Sequence, residues 1–542
     1  MACCASFEHL NPREGKIMFG RIKSLDAILA TAEKHSLHRS LGPVQLTLLG
    51  VGAVIGTGIF VLTAVAAQKA GPGMMLSFII AGSVCAVAAL CYAELASMVP
   101  VAGSAYTYTY AVLGELMAWM VGWALVLEYA LGASAVAVGW SNHAVGALAD
   151  AGVHFPGIVS NADALMAHVA LAFGKPLTPD LTTALQTGGF INLPAVAVVL
   201  AVTALLIKGT TESARFNSVL VAVKLVALTA FIILTLPLMH KHNFHPFLPT
   251  GFGNLTGGTG VIGAAASIFF AYVGFDAVST AAEETVNPQR NVPIGLIASL
   301  AICTIIYLAV AAGATGTVGA QPVVSASGAY LVSGSPEMAG RCAAIVTGGA
   351  VEPLVCSKHA LVQVLQTIGW PTVGWWVGIA AVIALPSVVL MMMFGQTRVF
   401  FVMARDGLLP PAFAKVHPRF NTPYVVTAVT GMFALVFAGL LPVGSLADYS
   451  NSGTLFAFAM VAISVMVLRV KQPDRKRSFR TPAVWVIAPL AVIGCVVLYL
   501  ALDLPSKLVL FGWGGIGLLV YFTYSRHRSH VGLELAAANG NP

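Results

Sequence analysis

Charge is what this chain lacks most. Of 542 residues only 28 are Lys or Arg and 21 are Asp or Glu, 9% of the whole, where a water-soluble domain carries roughly 25%. A water-facing surface cannot be assembled from so few ionic groups, which excludes an ordinary soluble enzyme. Also missing are the constellations that catalysis would use. No Cys-x-x-Cys pair, zinc-protease signature or Gly-x-Ser-x-Gly turn occurs, so an enzyme has no nucleophile to rest on and no cofactor or metal is implied. The first 40 residues mix Glu, Arg, Lys and Asp and hold no apolar core of signal-peptide length. The short alternating strands of a β-barrel are absent too.

What the chain does have is apolar length. The AVILMFWYC residues make up 58%, mean hydropathy is +0.87, and the apolar runs are continuous. A helical bilayer crossing needs about 20 such residues. Spans are expected near 43–67, 74–98, 112–140, 192–208, 217–238, 260–283, 292–317, 373–397, 423–441, 447–468, 483–502 and 508–525. The fold class is therefore an all-α polytopic membrane protein of about twelve transmembrane helices. Cytoplasmic loops accumulate Lys and Arg. With the amino terminus inside, 21 basic residues fall on the cytoplasmic side, six fall outside (Lys69, Lys175, Lys241, Arg341, Lys358 and Lys507) and Lys224 lies within a span. Both termini are thus expected to be cytoplasmic. The basic run Lys471–Arg480 resembles a nuclear-localisation or nucleic-acid patch out of context, but as a topology anchor between two spans it calls for no nucleic-acid partner. Two long outer loops, 141–191 and 318–372, are rich in Gly, Ala and Pro and show no separate folded domain.

Two spans are interrupted. The first carries glycines at 50, 52, 56 and 58, and each costs a helix roughly 1 kcal/mol against Ala. A nucleotide-binding glycine loop would follow a strand and precede an acidic residue about 20 positions on; neither is present. Close small-xxx-small packing through Gly52 and Gly56 is the alternative to a break. The sixth span holds Phe269-Phe-Ala-Tyr-Val-Gly-Phe-Asp276, an aromatic cluster, a glycine and an acid inside an apolar run. Paired interruptions in two halves point to a transporter site at the bilayer midplane. Spans 1 to 5 and 6 to 10 then form two five-helix units, and because five is odd the second is inverted. The expected organisation is a cytoplasmic segment 1–42, a first repeat 43–238, a second repeat 260–468, a basic loop 469–482, two further helices 483–525 and a cytoplasmic tail 526–542. Opening a helix in mid-membrane frees amide donors on one side and carbonyl acceptors on the other. The donors suit a carboxylate and the carbonyls an ammonium, so an α-amino acid presents both matching groups, although other small ions could use the same ends.

The stretches Leu49–Thr63, Ala70-Gly-Pro-Gly73, Tyr92-Ala-Glu-Leu95, Gly103–Tyr108, Phe269–Glu284, Asn287-Pro-Gln-Arg290 and Met403–Pro410 closely resemble bacterial members of the cationic amino acid transporter group, within the amino acid, polyamine and organocation (APC) superfamily. The resemblance runs from about residue 20 to 525. It implies an amino acid permease with the five-plus-five inverted-repeat fold shared with sodium-coupled neurotransmitter-type transporters, with helices 1 and 6 broken. It further implies that backbone amides at Ile55, Gly56, Thr57 and Gly58 bind the substrate carboxylate, and that carbonyls of Phe270, Ala271 and Val273 bind its amino group. Lys224 would stand where sodium-driven relatives hold a sodium ion. Ala64, where glycine is expected, Gly73, where alanine is commoner, and the long 318–372 loop depart from the pattern.

Glu94, Glu115, Glu283 and Glu284 fall near cytoplasmic span ends and are expected to make gate or loop contacts. Glu128 lies well inside its span, where an unpaired carboxylate is costly; it is expected to be protonated or paired, with Lys224 as one partner. Lys224 and Glu128 are the candidates for proton coupling. Asp276 is placed to cap the second half of span 6, with ion binding as the alternative. The His240-Lys-His-Asn-Phe-His245 run reads as a solvated loop rather than a metal site. Cys342 and Cys356 share one outer loop and are expected to form a disulfide; Cys3, Cys4, Cys85, Cys91, Cys303 and Cys495 are expected to be reduced. Translation is expected to begin at Met18. The Met-rich eighth span, Ala384–Phe394, contains no acid, which favours a neutral or apolar substrate side chain over a cationic one. The reading is a permease of the inner membrane, with amino acids, protons and lipids as its partners; proton symport, exchange and a non-transporting sensor share the scaffold.

Overall fold

The computed structural model describes residues 21–23, 25, 41–99, 103–209, 214–255, 258–282, 285–325, 328–420 and 422–538. Met18, Cys3, Cys4, Glu283 and Glu284 lie outside the described residues. Among the described residues eight helices are long and apolar enough to cross a bilayer, and Pro43–Val54, Asp163–Ala172, Leu193–Lys208, Gly260–Tyr272 and Tyr424–Leu440 are shorter apolar helices. In chain order the spans are 1 (Pro43–Val54, Thr57–Phe60 and Leu62–Ala70), 2 (Met74–Met98), 3 (Glu115–Asp150), 4 (Leu193–Lys208), 5 (Ala214–Thr235), 6 (Gly260–Ile268, Phe269–Tyr272 and Ala277–Thr280), 7 (Pro288–Val318), 8 (Pro371–Arg405), 9 (Tyr424–Leu440), 10 (Val443–Lys471), 11 (Val484–Ala501) and 12 (Leu504–Val520). Helix is the expected solution because lipid offers the backbone no hydrogen-bond partners. Irregular backbone occurs in spans 1 and 6, inside the bundle, where protein surrounds it.

The two halves match in more than their breaks. Span 3 has 36 residues and span 8 has 35, while spans 4 and 9 have 16 and 17. Spans 3 and 8 pack along each other, as do 4 and 9. Small residues permit the closest crossings: a Cβ on Gly453 of span 10 would lie 2.7 Å from the Ala124 carbonyl of span 3. Spans 11 and 12 stand beside this core. Trp513 stacks on Trp123 at 4.6 Å, and each indole donates to the other residue's carbonyl, at 2.8 and 2.7 Å. Arg21 donates to the Arg526 carbonyl at 2.7 Å, so the two ends of the described chain meet on one face. That requires an even number of crossings. The same face carries the 471–480 run and is called the basic face below.

One expectation needs correction. Span 3 does not end near 140 but continues to Asp150, because Ala-rich sequence keeps adding helical hydrogen bonds after the apolar window closes. The two long loops are helical in part. They contain Asp163–Ala172, Pro179–Thr187, Pro336–Thr347 and Ala360–Thr367, and helices from the two loops pack on one another over Ala167, Leu181 and Ala184. Each loop has a helix start that the composition concealed: Thr178 Oγ1 accepts from the Leu181 amide and Ser335 Oγ from the Met338 amide, both at 3.2 Å. Cys342 and Cys356 are joined in a disulfide within this cap, whereas Cys85, Cys91, Cys303 and Cys495 are free and buried.

Candidate substrate site at the paired helix breaks

Span 1 leaves the helix at Ile55 (φ −72°, ψ 92°) and Gly56 (φ −139°, ψ −148°) and resumes at Thr57. The amides that open the second half have no helical partner four residues back. Span 6 tightens into a 3-10 turn over Phe269–Tyr272, opens at Val273 (ψ 138°), and passes through Gly274 at φ 112°. Gly274 needs its lack of a side chain on two counts, since a Cβ there would also sit 3.0 Å from the Ala53 carbonyl oxygen.

The breaks meet. A Cβ built on Gly58 would fall 2.3 Å from Ala271 Cα, so the two backbones are in direct contact. The Tyr307 hydroxyl of span 7 lies 2.9 Å from the Val54 carbonyl and 2.9 Å from the Ala271 carbonyl, sharing its one proton between the ends of two half-helices. Lys224 of span 5 donates to the Gly52 carbonyl at 2.8 Å and is 1% exposed. Ile55, Gly56, Thr57, Gly58, Phe270, Ala271 and Val273 are all buried and converge here. Phe270 O already accepts from the Val273 amide at 3.2 Å and Ala271 O from Tyr307, so each has one lone pair left for a ligand.

The surroundings are neutral. Gly139 of span 3 admits Thr57, and a Cβ on Gly132 would meet Ser450, Met392 and Phe270 at 3.5 to 3.7 Å. Span 8 adds Val388, 3.3 Å from where a Cβ on Gly56 would lie. The acids lie one turn away. Glu128 is fully buried, its carboxyl oxygens accept no hydrogen bond among the described residues, and its polar neighbours are Thr454 and Asp276. It is not paired with Lys224, contrary to the pairing considered above; the span 1 carbonyl takes the lysine instead. Asp276 does not cap the second half of span 6 with its side chain but accepts from the Tyr129 hydroxyl at 2.9 Å.

Ion pairs close both ends. On the basic face Lys23 meets Asp406 at 2.9 Å and Arg21 meets Glu115 at 3.1 Å, with Tyr106 donating to Asp406 and Tyr521 to Glu115. Glu94 forks with Arg469 at 2.7 and 2.8 Å and accepts from the Thr481 amide, which fastens the basic loop. On the opposite face Lys69 donates to Ser267 at 2.7 Å and Asp448 at 2.9 Å, with Asp503 at 3.8 Å. Lys69, expected in the loop after span 1, is 4% exposed and ties span 1 to spans 6 and 10. Above it a cavity of about 540 Å³ is lined by Val61, Ala64, Val138, Asn142, Met338 and His359. Tyr307 carries a single sequence signal, a phenol in the middle of an apolar run.

Residues 41–521 match the amino acid permease family model. Among curated proteins, the chain is 43% identical to a branched-chain amino acid permease of Bacillus subtilis, covering 94% of this chain and 98% of that protein. It is 40% identical to a methylthioribose transporter of the same organism, with the same coverage, and 34% identical to a vacuolar cationic amino acid transporter of Arabidopsis thaliana, covering 84% of this chain and 64% of the relative.

Proposed function

The chain belongs to the amino acid permease family, and from that premise we propose that it carries α-amino acids with neutral, apolar side chains into the cell, coupled to protons. That it is a membrane transporter rather than an enzyme follows from the family itself. The observation that carries the substrate reading is the contact of Gly58 with Ala271, which sets free amides of one broken helix beside carbonyls of another. A substrate carboxylate binds the amides of Gly56, Thr57 and Gly58, the Ile55 amide being already taken by the Val51 carbonyl at 2.9 Å contrary to the expectation for it, and its ammonium binds the carbonyls of Phe270, Ala271 and Val273, each group at the helix end of complementary dipole. The side chain then points toward Gly132, Met392 and Ser450, where a branched aliphatic group meets soft, uncharged surface, with Glu128, one turn from Gly132, as the deep carboxylate on which a cationic side chain would have to rely.

Lys224 and Glu128 carry the coupling. Lys224 holds the first half of span 1 through Gly52, so a change of its charge acts on the break directly, and among the described residues no basic side chain pairs with the Glu128 carboxyl. By the positive-inside argument the basic face is cytoplasmic, with both termini in the cytoplasm and the permease in the inner membrane. The repeats 43–238 and 260–468 rock against each other, so that the Lys69–Asp448 and Lys23–Asp406 closures open in turn. The methylthioribose relative supports a second reading, in which a thioether sugar occupies the same soft surface.

Reconstituted protein decides between them. Labelled leucine, isoleucine and valine should enter liposomes under an inward proton gradient, with alanine competing and arginine and lysine competing poorly. Arginine binding far more tightly than leucine overturns the side-chain assignment, uptake that needs internal amino acid and ignores pH makes the protein an exchanger, and methylthioribose uptake without leucine uptake replaces the reading.

A further inference from the structure

On the basic face the first turns of span 7 border a groove of about 420 Å³ that also takes in Phe479 of the basic loop. Arg290, Ile294, Ile297 and Ala301 line it, at the spacing of a single helix stripe. Ile294 is 40% and Ile297 37% exposed, whereas Leu296, Ser299 and Leu300, on the other side of the helix, are buried in the bundle. The stripe therefore faces outward, toward lipid. From Arg290 to Ala301 it runs about 16 Å along the axis, close to half of a hydrocarbon core of about 30 Å. That is the depth of one leaflet. At the interfacial end Arg290 is exposed and makes no side-chain hydrogen bond or ion pair among the described residues. Ser478 donates to Gln289 at 2.8 Å, which pins the basic loop to this turn, and Lys476 and Arg480 of that loop are exposed.

A soluble anion would satisfy the guanidinium and leave the apolar stripe uncovered. A zwitterionic lipid would cover the stripe and bring no net charge to three basic residues. We propose that the groove is a binding site for an anionic phospholipid, its headgroup phosphate on Arg290 and one acyl chain along Ile294, Ile297 and Ala301. The leaflet is the one whose surface attracts polybasic segments, in keeping with the side on which the loop's Lys and Arg accumulate. The site stands apart from the helix breaks, and its test does not depend on which substrate is carried.

The experiment is native mass spectrometry of the full chain released from micelles doped with phosphatidylglycerol or with phosphatidylcholine of the same chains. Wild type should retain one phosphatidylglycerol in preference to phosphatidylcholine, and inorganic phosphate should not displace it. Arg290→Gln should weaken that retention about fivefold, the equivalent of about 1 kcal/mol for one basic residue at a membrane surface, without changing phosphatidylcholine retention. Ile297→Trp keeps the charge and fills the groove, and should lose the same lipid. Both positions are exposed, and unchanged melting temperatures confirm folding. Equal retention of the two lipids by wild type, wild-type retention in both variants, or displacement by inorganic phosphate each overturns the proposal.

Discussion

Adding one methyl group at Gly58 tests whether the two breaks must touch. The new Cβ would stand 2.3 Å from Ala271 Cα and 2.5 Å from Ala271 Cβ, whereas carbon atoms rest at about 3.5 to 4.0 Å. The breaks must therefore separate by about 1.2 Å or more. Ala271 cannot simply retreat, because Tyr307 holds its carbonyl at 2.9 Å. Overpacking of this kind costs typically about 1–3 kcal/mol. Because the clash lies where the two broken helices meet, the cost falls mainly on the state in which amides and carbonyls face one substrate. Depopulating that state by about 1–3 kcal/mol weakens apparent affinity by roughly 5- to 150-fold. Gly58→Ala should reconstitute in normal amounts, and the initial rate of labelled leucine uptake at low concentration should fall by that factor. Gly444→Ala is the control: its Cβ would meet Val65 at 3.7 Å, an ordinary contact, and transport should stay near wild type. Wild-type KM and rate for Gly58→Ala would refute the placement of substrate between the breaks.

Lys224→Met keeps the volume and strips the Gly52 carbonyl of its donor, a loss of about 1–3 kcal/mol; proton-driven leucine accumulation should vanish while binding persists, and pH-driven uptake at the wild-type level would defeat the coupling role. Tyr307→Phe removes the shared hydroxyl between Val54 and Ala271, and should raise KM about tenfold with an unaltered pH profile; an unchanged KM argues that the bridge is incidental. Asp448→Asn leaves buried Lys69 with Asp503 at 3.8 Å. Breaking a buried pair costs about 3–5 kcal/mol, so a reporter cysteine at Ala64 in the cavity above should react with a thiol reagent several-fold faster, and unaltered labelling would count against a gate there. In the cap, burial pulls the His359 imidazole below its usual range, Lys358 adds to this, and Asp150 opposes it. As pH falls below about 6.5 the unfolded chain takes up the proton first, so the cap is most stable above that value and loosens progressively below it. Hydrogen exchange across residues 336–367, corrected for its intrinsic rate, should be faster at pH 5.5 than at pH 7.5; a flat profile contradicts the burial argument.

Some of the architecture was legible because it rests on local composition. Four glycines between 50 and 58 cannot sustain a regular helix, and span 1 opens there. Gly274, after the aromatic cluster, marks the second break, where the chain takes a φ of 112°. Span count followed from apolar run length, which the bilayer dictates. Contacts that join distant segments were not legible. Lys69 and Asp448 are 379 positions apart, and nothing near Lys69 in sequence separates a buried cation from a loop one. Asp276 had a suitable position to cap a helix, yet a tyrosine 147 residues earlier takes its carboxylate. The helices of the two long loops were hidden because Gly and Pro at their ends lowered the average over stretches whose interiors are good helix formers.

The two closures are not equivalent, and their difference bears on how the breaks can move. Lys69 and Asp448 have side chains 4% and 5% exposed, while Lys23 and Asp406 stand at 24% and 9%. Separating the first pair leaves two charges in dry surroundings, which is the situation that costs about 3–5 kcal/mol. The second pair is wetter on the lysine side and moves toward the surface case of about 0–1 kcal/mol. Lys69 sits on the second half of span 1, the half whose amides open at Gly56, and its partners Ser267 and Asp448 sit on spans 6 and 10. Opening at that face therefore has to shift the half-helix that offers its amides to the substrate. The basic-face pair instead joins the amino-terminal segment to the end of span 8, and the first half of span 1 is held separately by Lys224 at Gly52. Under the alternating access proposed above, Gly56, which leaves the helix between the two halves, is the point at which one half can move while the other stays.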